Sequence, residues 1–74
     1  MKHGTFTAVL EREAKGFSAL CPELDVASQG ESVEEALANL RKAVELFLEC
    51  ANKKEIQARM RSEVFVTRFE AAYA

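Results

Sequence analysis

Histidine and cysteine are scarce in this chain, which has one histidine and two cysteines among 74 residues. His3 lies close to the terminus, and Cys21 and Cys50 stand far apart without a CxxC pair. A zinc site needs three or four clustered nitrogen or sulfur ligands. The sequence therefore predicts no metal centre and no cofactor. The cysteines are expected to be reduced, semi-buried and small enough to pack as hydrophobes.

Long apolar runs are also missing. No stretch approaches the roughly 18 residues that a membrane-spanning helix needs, and residues 1–5 lack the hydrophobic segment of a signal peptide. We therefore expect a cytoplasmic protein without membrane contact. The length fits one domain over residues 1–74. A domain this small buries only about 60% of its unfolded surface, so association would stabilise it.

The charges are unevenly distributed along the chain. Residues 1–52 hold five Lys/Arg and nine Asp/Glu, whereas residues 53–74 hold five and three, so the net charges are −4 and +2. Nucleic-acid binding requires a concentrated basic surface that neutralises phosphates. The acidic body therefore argues against direct DNA binding and favours a basic protein partner.

Catalytic patterns are not apparent. Two-metal hydrolysis needs several converging carboxylates, and the first predicted strand offers only Glu11. The last predicted strand has Glu63 and Glu70 near its ends. No residues are arranged as a nucleophile with its base, so we expect no enzymatic activity.

The most strongly patterned stretch is a helix predicted over residues 32–49. Ser32 is suited to be its N-cap, and Glu35 lies where its carboxylate can reach back to the Ser32 amide. Asn52 is suited to be its left-handed C-cap. The segment Lys53–Arg61 predicts either a short second helix or a continuation of the first. The apolar stripe of the long helix follows the 3.6-residue period at Val33, Ala36, Leu37, Leu40, Val44, Phe47, Leu48 and Ala51.

Alternating, β-rich segments predict four strands. They are Thr5–Arg12, Phe17–Cys21, Asp25–Gln29 and Glu63–Glu70. The predicted fold is α+β with the order β-β-β-α-β, an antiparallel sheet with one long helix packed on one face. A hairpin loop over residues 13–16 sets the register of the first pair: Arg12 opposite Phe17, Leu10 opposite Ala19 and Ala8 opposite Cys21.

This register divides the side chains between two faces. The face assigned to the helix carries Phe6, Ala8, Leu10, Phe17, Ala19 and Cys21. The opposite face keeps Val9 and Leu20, and the last predicted strand adds Val64 and Val66. Apolar residues left without cover indicate a contact surface, so these four are the predicted homodimer interface.

Three stretches are typical of a known family. They are Gly16–Ala19, Cys21–Leu24 and Ser28–Leu40, the last with a Ser-x-Gly-Glu-Ser-x-Glu-Glu-Ala pattern that leads into the helix. On these residues the chain resembles the HicB antitoxins of toxin–antitoxin pairs. The resemblance implies a partial RNase H-like fold, dimerisation, and neutralisation of a HicA-type toxin, a small basic mRNA interferase.

The chain departs from the family in two places. Asp25 and Val26 follow the Pro-Glu-Leu turn, where many members have Pro-Gly-Cys. Many members also carry a DNA-binding domain after this unit, whereas only Ala51–Ala74 follow the long helix here. The resemblance is therefore to a short form without DNA-binding module.

Acidic residues around the turns are the predicted contacts for a basic toxin. They are Glu23, Asp25 and Glu31, while helix capping already accounts for Glu34 and Glu35. Two alternatives stay open. One is a stand-alone dimeric interaction module without a toxin, and the other is a weak RNA-binding domain that uses the basic segment Lys53–Arg61.

Overall fold

The computed structural model describes residues 4–60 and 63–74. Within them it has five elements: β1 (Val9–Glu13), β2 (Gly16–Cys21), β3 (Val26–Gly30), α1 (Val33–Cys50) and α2 (Lys53–Met60). The strands form one antiparallel sheet in the order β1-β2-β3. Helix α1 packs across one face, chiefly over β3 and β2. This confirms the predicted α+β class and the antiparallel sheet with a helix on one face.

The β1–β2 hairpin has the predicted register. Leu10 lies opposite Ala19 and Arg12 opposite Phe17. The pairing continues to Gly16, so the turn contains only two residues instead of the predicted four. Gly16 has a φ of 153°, which a residue with a side chain rarely adopts.

One apolar core lies between the sheet and α1. Its buried residues are Ala19, Cys21, Leu24, Ala36, Leu40 and Val44. Around them pack Phe6, Ala8, Leu10, Phe17, Val26, Phe47 and Leu48. The predicted assignment of alternate strand residues to the helix face is therefore confirmed. Leu24, in the β2–β3 turn, is fully buried although the sequence pattern did not assign it to the core.

The start of α1 is capped by side chains. The Glu35 amide donates to Ser32 Oγ at 3.1 Å, so Ser32 is the predicted N-cap. The Glu35 carboxylate accepts from the Glu31 amide at 3.0 Å, one residue earlier than predicted. Such a cap is worth about 1 kcal/mol. It fixes where the chain leaves β3 and enters the helix.

The two helices are separate. Extended backbone at Ala51 (φ −80°, ψ 148°) ends α1. The prediction that Asn52 is a left-handed C-cap is wrong, because the C-cap of α1 is Ala51 and Asn52 has no positive φ. Instead Asn52 Oδ1 accepts from the Glu55 amide at 2.8 Å and so caps α2. Arg59 in α2 donates to the Leu24 carbonyl and lies 4.9 Å from the centre of the Phe47 ring. These contacts attach α2 to the body.

The predicted fourth strand, Glu63–Glu70, is wrong for the single chain. Residues 63–74 contain no strand, and Phe65 and Phe69 are 84% and 87% exposed. An alternating pattern makes a segment suited to a sheet, but a strand forms only where a neighbouring strand pairs with it. Among residues 4–60 and 63–74, no helix is both long and apolar enough to cross a bilayer.

Candidate functional site

A cleft of about 520 Å³ lies where the β1–β2 turn approaches the start of α1. We call it the acidic cleft, because three carboxylates and one ammonium group line it. Its lining residues are Glu13, Ala14, Lys15, Gly16, Phe17, Gln29, Gly30, Glu31 and Glu35.

Two glycines form the floor of the acidic cleft. A Cβ atom on Gly30 would overlap the Ala36 amide nitrogen and lie 2.7 Å from the Glu35 carbonyl carbon. One on Gly16 would lie 2.5 Å from the Gly30 carbonyl oxygen. The end of β3 therefore touches the first turn of α1 on one side and the start of β2 on the other. This close packing holds the acidic residues around one opening.

The acidic cleft carries net negative charge. Glu13, Glu31 and Glu35 are exposed, and Lys15 is the cation among the lining residues. In the described part of the chain the one ion pair joins Arg59 to Glu55, so the cleft carboxylates are not neutralised by an ion pair there. Glu35 is partly used by the helix cap, which leaves Glu13 and Glu31 as the freer acceptors.

Glu23 is turned toward the body, at the other end of the sheet. Its carboxylate accepts from the Thr7 amide at 3.0 and 3.1 Å and from Thr7 Oγ1 at 2.6 Å. The Cys21 thiol donates to the same carboxylate at 3.5 Å. Glu23 therefore ties the segment before β1 to the β2–β3 turn. This is a structural role that spacing along the sequence did not indicate.

The ionisation of both groups follows from this arrangement. Burial favours the neutral form of Glu23, but the hydrogen bonds from Thr7 and Cys21 outweigh it, so the pKa of Glu23 is lowered. Burial raises the pKa of Cys21, and the neighbouring Glu23 charge adds to the effect. Cys21 is thus a buried thiol that donates a hydrogen bond, whereas Cys50 is exposed rather than semi-buried.

The predicted partner contacts do not form one surface. Glu23 and the exposed Asp25 lie at the β2–β3 turn, whereas Glu31 lies beyond the far end of β3. Five strand residues separate these ends, about 16 Å at 3.3 Å per residue. Their contact roles stay predictions, now for two different surfaces. Glu13 was missed by sequence reasoning, since only the two-residue turn brings it to the acidic cleft.

The predicted dimer residues are likewise divided. Val9 and Leu20 are cross-strand partners in the β1–β2 pair, and Leu20 is 38% exposed. Val64 and Val66 belong to residues 63–74, outside the sheet. The sheet therefore brings only Val9 and Leu20 together, and the interface role of all four residues stays a prediction.

The carboxylates of the acidic cleft are acceptors for a cationic group. Within residues 4–60 and 63–74, no group of three or more His, Cys, Asp or Glu is placed to hold a metal ion. A Lys or Arg side chain needs only one or two carboxylates at the rim of an opening. Glu13 and Glu31 at the rim of the acidic cleft could accept from such a side chain.

Fold and cleft together define a small α+β module in which a capped helix covers a three-stranded meander. The chain belongs to the UPF0150 family. It is 35% identical over 68 residues to a UPF0150 protein of Helicobacter pylori, across 90% of this chain and 94% of the relative. It is also 44% identical over 46 residues to a UPF0150 protein of Synechocystis, across 60% of this chain and 58% of that relative. No profile of a known protein family matches, and no solved structure matches.

Proposed function

We propose that this chain is a HicB-like antitoxin that binds and neutralises a small basic HicA-type mRNA interferase by protein–protein contact. In this proposal it works in the cytoplasm and catalyses no reaction. The resemblance to HicB antitoxins over Gly16–Ala19 and Ser28–Leu40 supports the proposal. The net charge of −2 on the chain suits a basic partner.

One observation carries the proposal: two of the stretches that resemble HicB meet at the acidic cleft. Gly16 begins one stretch, and Gly30, Glu31 and Glu35 belong to the other. The chain thus uses these residues to build a single opening rather than to fill the core. Because exposed carboxylates surround that opening, the shared sequence pattern coincides with a surface suited to a cation.

The chemistry of neutralisation follows from charge. An arginine guanidinium offers five donors in a plane and binds carboxylates with two parallel hydrogen bonds. A basic toxin needs such side chains to hold RNA phosphates. Docking one of them between Glu13 and Glu31 would remove it from RNA and orient the toxin on the antitoxin.

Co-expression tests the function directly. The chain would be expressed with any small basic protein that its gene neighbourhood encodes, and growth and a co-purifying complex would be scored. Growth rescued together with a complex supports the antitoxin proposal. If the neighbouring protein is toxic and this chain neither rescues growth nor binds it, the proposal is wrong.

Charge-neutralising variants test the docking surface. Glu13→Gln with Glu31→Gln should weaken the complex at least about tenfold and reduce its salt dependence, because both acceptors lose their charge. Asp25→Asn is the matched control at the other end of the sheet. Asparagine tolerates the positive φ of 55° at this position. If only Asp25→Asn weakens binding, the toxin docks at the β2–β3 turn.

Of the two alternatives, the stand-alone interaction module is the stronger, since the chain exposes a large apolar segment. RNA binding is not favoured. Arg59, in the basic segment considered for it, already contacts the Leu24 carbonyl and Glu55, and Arg61 lies outside the described residues. A chain without a toxin partner would therefore be expected to act through self-association.

A further inference from the structure

An apolar groove of about 610 Å³ runs between residues 4–8 and α1. We call it the β1 groove. Its apolar lining includes Phe6, Ala8, Leu37, Leu40, Val44 and Leu48, and Arg41 and Glu45 also line it. Its lining comes from the segment before β1, from Cys21 in β2 and from α1, which packs mainly over β3 and β2 and little over β1. Leu37 consequently stays 40% exposed.

The edge of β1, the strand that follows residues 4–8, is also open. β1 is an edge strand of the sheet, and an edge strand presents a row of unpaired amides and carbonyls. The other edge is partly occupied, because Asn39 Nδ2 donates to the Gln29 carbonyl in β3 at 2.7 Å. An added strand could therefore form backbone hydrogen bonds with β1, and its apolar side chains could pack in the adjoining groove.

The C-terminal segment, residues 63–74, has the complementary properties. Its sequence alternates as a strand does, yet Phe65, Phe69 and Tyr73 are 84%, 87% and 97% exposed. Among the described residues its one hydrogen bond is local, from Thr67 Oγ1 to the Arg68 carbonyl at 3.4 Å. None of the β1-groove residues comes from this segment.

Area and shape show how much surface one chain leaves uncovered. The chain exposes 6583 Å², whereas a compact protein of 8.2 kDa exposes about 4,500 Å². The radius of gyration is 14.4 Å, against about 11 Å for a compact domain of this length. The excess of about 2,000 Å² per chain exceeds the roughly 800 Å² that each partner buries in a standard interface.

We propose that the chain forms a two-fold symmetric dimer by exchanging this segment. Residues 63–70 of each copy lie along the β1 edge of the other, and Phe65 and Phe69 enter the partner's β1 groove. The β1 edge and the β1 groove of each copy are then covered by the segment of the other copy. No such edge or groove stays free for a third chain, so the assembly closes at two chains. The inference is independent of the toxin, since it involves only two copies of this chain.

Both surfaces carry charges of both signs. The segment carries Glu63, Arg68 and Glu70, and the β1 groove has Arg41 and Glu45 on its rim. In the described residues neither rim charge takes part in an ion pair within its own chain. Opposite charges at such a rim select a partner and set its register, while the aromatic side chains contribute most of the contact area.

Sedimentation equilibrium of full-length chains tests the exchange. Wild type should have twice the 8.2 kDa chain mass. Phe65→Ser with Phe69→Ser should weaken the dimer at least about 30-fold, the equivalent of a 2 kcal/mol hot spot at 1.4 kcal/mol per tenfold. Because Phe65 and Phe69 are exposed in the single chain, the far-UV circular dichroism of the variant monomer should keep the α1 signal.

Two control variants make the test specific. Leu46→Ser removes an exposed apolar side chain, 60% exposed, from the side of α1 opposite the β1 groove. Leu20→Ser alters the outer face of the sheet. Both should stay dimeric. A monomeric wild type, or a dimer broken by Leu20→Ser and kept by the double phenylalanine variant, would overturn the proposal.

Paramagnetic relaxation distinguishes exchange from folding back onto the same chain. A Tyr73→Cys/Cys50→Ser variant without NMR isotopes would carry a spin label at position 73. It would be mixed with isotope-labelled wild type. Exchange predicts broadening of amide signals at residues 4–8 and 37–48 of the labelled chain. A second sample would carry the spin label and the isotopes on the same chain. If the signals broaden only in that sample, the segment covers its own groove and the proposal is wrong.

Discussion

Two sets of aromatic residues in this protein have the same chemistry and opposite surroundings. In the body, residues 4–60, the three phenylalanines all pack against the core: Phe6, Phe17 and Phe47. In the C-terminal segment Phe65, Phe69 and Tyr73 are almost fully exposed. Hydrophobicity alone therefore does not decide burial, because an aromatic ring is buried only where a complementary surface is within reach.

The difference has an energetic consequence. Burying a phenylalanine side chain contributes about 1.5–3 kcal/mol, and the body receives that contribution within one chain. The C-terminal segment receives it only from a second surface. The stability of a single chain therefore resides in residues 4–60, and substitutions in the two regions should behave differently.

The largest expected effect comes from the core. Leu24 is fully buried, so Leu24→Ala should lower the free energy of unfolding by about 2–5 kcal/mol. A domain of this length has only about 4–11 kcal/mol in total. Urea unfolding at several protein concentrations measures the loss, which should be present at all of them.

Phe65→Ala should lower the free energy of unfolding only at concentrations where the chain associates. An equal loss at every concentration would mean that Phe65 packs within its own chain.

The next effect comes from the glycine junction below the acidic cleft. A Cβ at position 30 would collide with the backbone of Ala36 and Glu35, so Gly30→Ala should cost about 1–3 kcal/mol through overpacking. Gly4→Ala is the control, since its Cβ would lie 3.4 Å from the Phe6 ring in ordinary contact. Thermal unfolding of both variants compares them, and equal melting temperatures would contradict the close approach of β3 to α1.

The Glu23 carboxylate should contribute about 1 kcal/mol at neutral pH, because it accepts charge-assisted hydrogen bonds at a half-buried site. Its pKa is lowered from 4.5 in the folded protein. Its contribution is therefore present above about pH 4.5 and is lost as the pH falls through the folded value. Urea titrations of wild type and Glu23→Gln should differ at pH 7 and converge in acid. A difference that does not depend on pH would show that charge plays no part.

The smallest effects concern the two helix caps. Ser32→Ala should cost about 1 kcal/mol, because α1 covers the core and its start is tied to β3. Asn52→Ala removes the same kind of cap from α2, which has no buried residue. It should therefore unfold the end of α2 locally. The global free energy of unfolding should fall by less than about half of the loss expected for Ser32→Ala. Global unfolding together with hydrogen exchange at residues 55–57 separates the two. An equal global cost would place α2 in the cooperative unit.

Local patterns made much of the body predictable. The 3.6-residue stripe placed α1 with its apolar face inward, and Ser32 was identified as its cap from spacing alone. The hairpin register followed from strand alternation, although the turn proved to be two residues shorter. These features depend on contacts between residues near one another in the chain, whose geometry repeats from protein to protein.

Other features depended on residues that are distant in sequence. The sequence pattern did not distinguish Glu23 from the other acidic residues. Its structural role depends on Thr7, from another segment, which donates to its carboxylate. Asp25 and Glu31 are close in sequence, but the length of β3 holds them at opposite ends of the sheet. Glu13 reaches the acidic cleft only because the β1–β2 turn is tight.

The sequence by itself determined the α+β class, the capped helix and the faces of the strands, because the periods of helix and strand are local properties. Only the tertiary structure decided where the carboxylates point, which of them share a cleft, and that residues 63–74 lie outside the sheet of their own chain. Those outcomes depend on which surfaces meet, and strand alternation is the same whether or not a neighbouring strand is present.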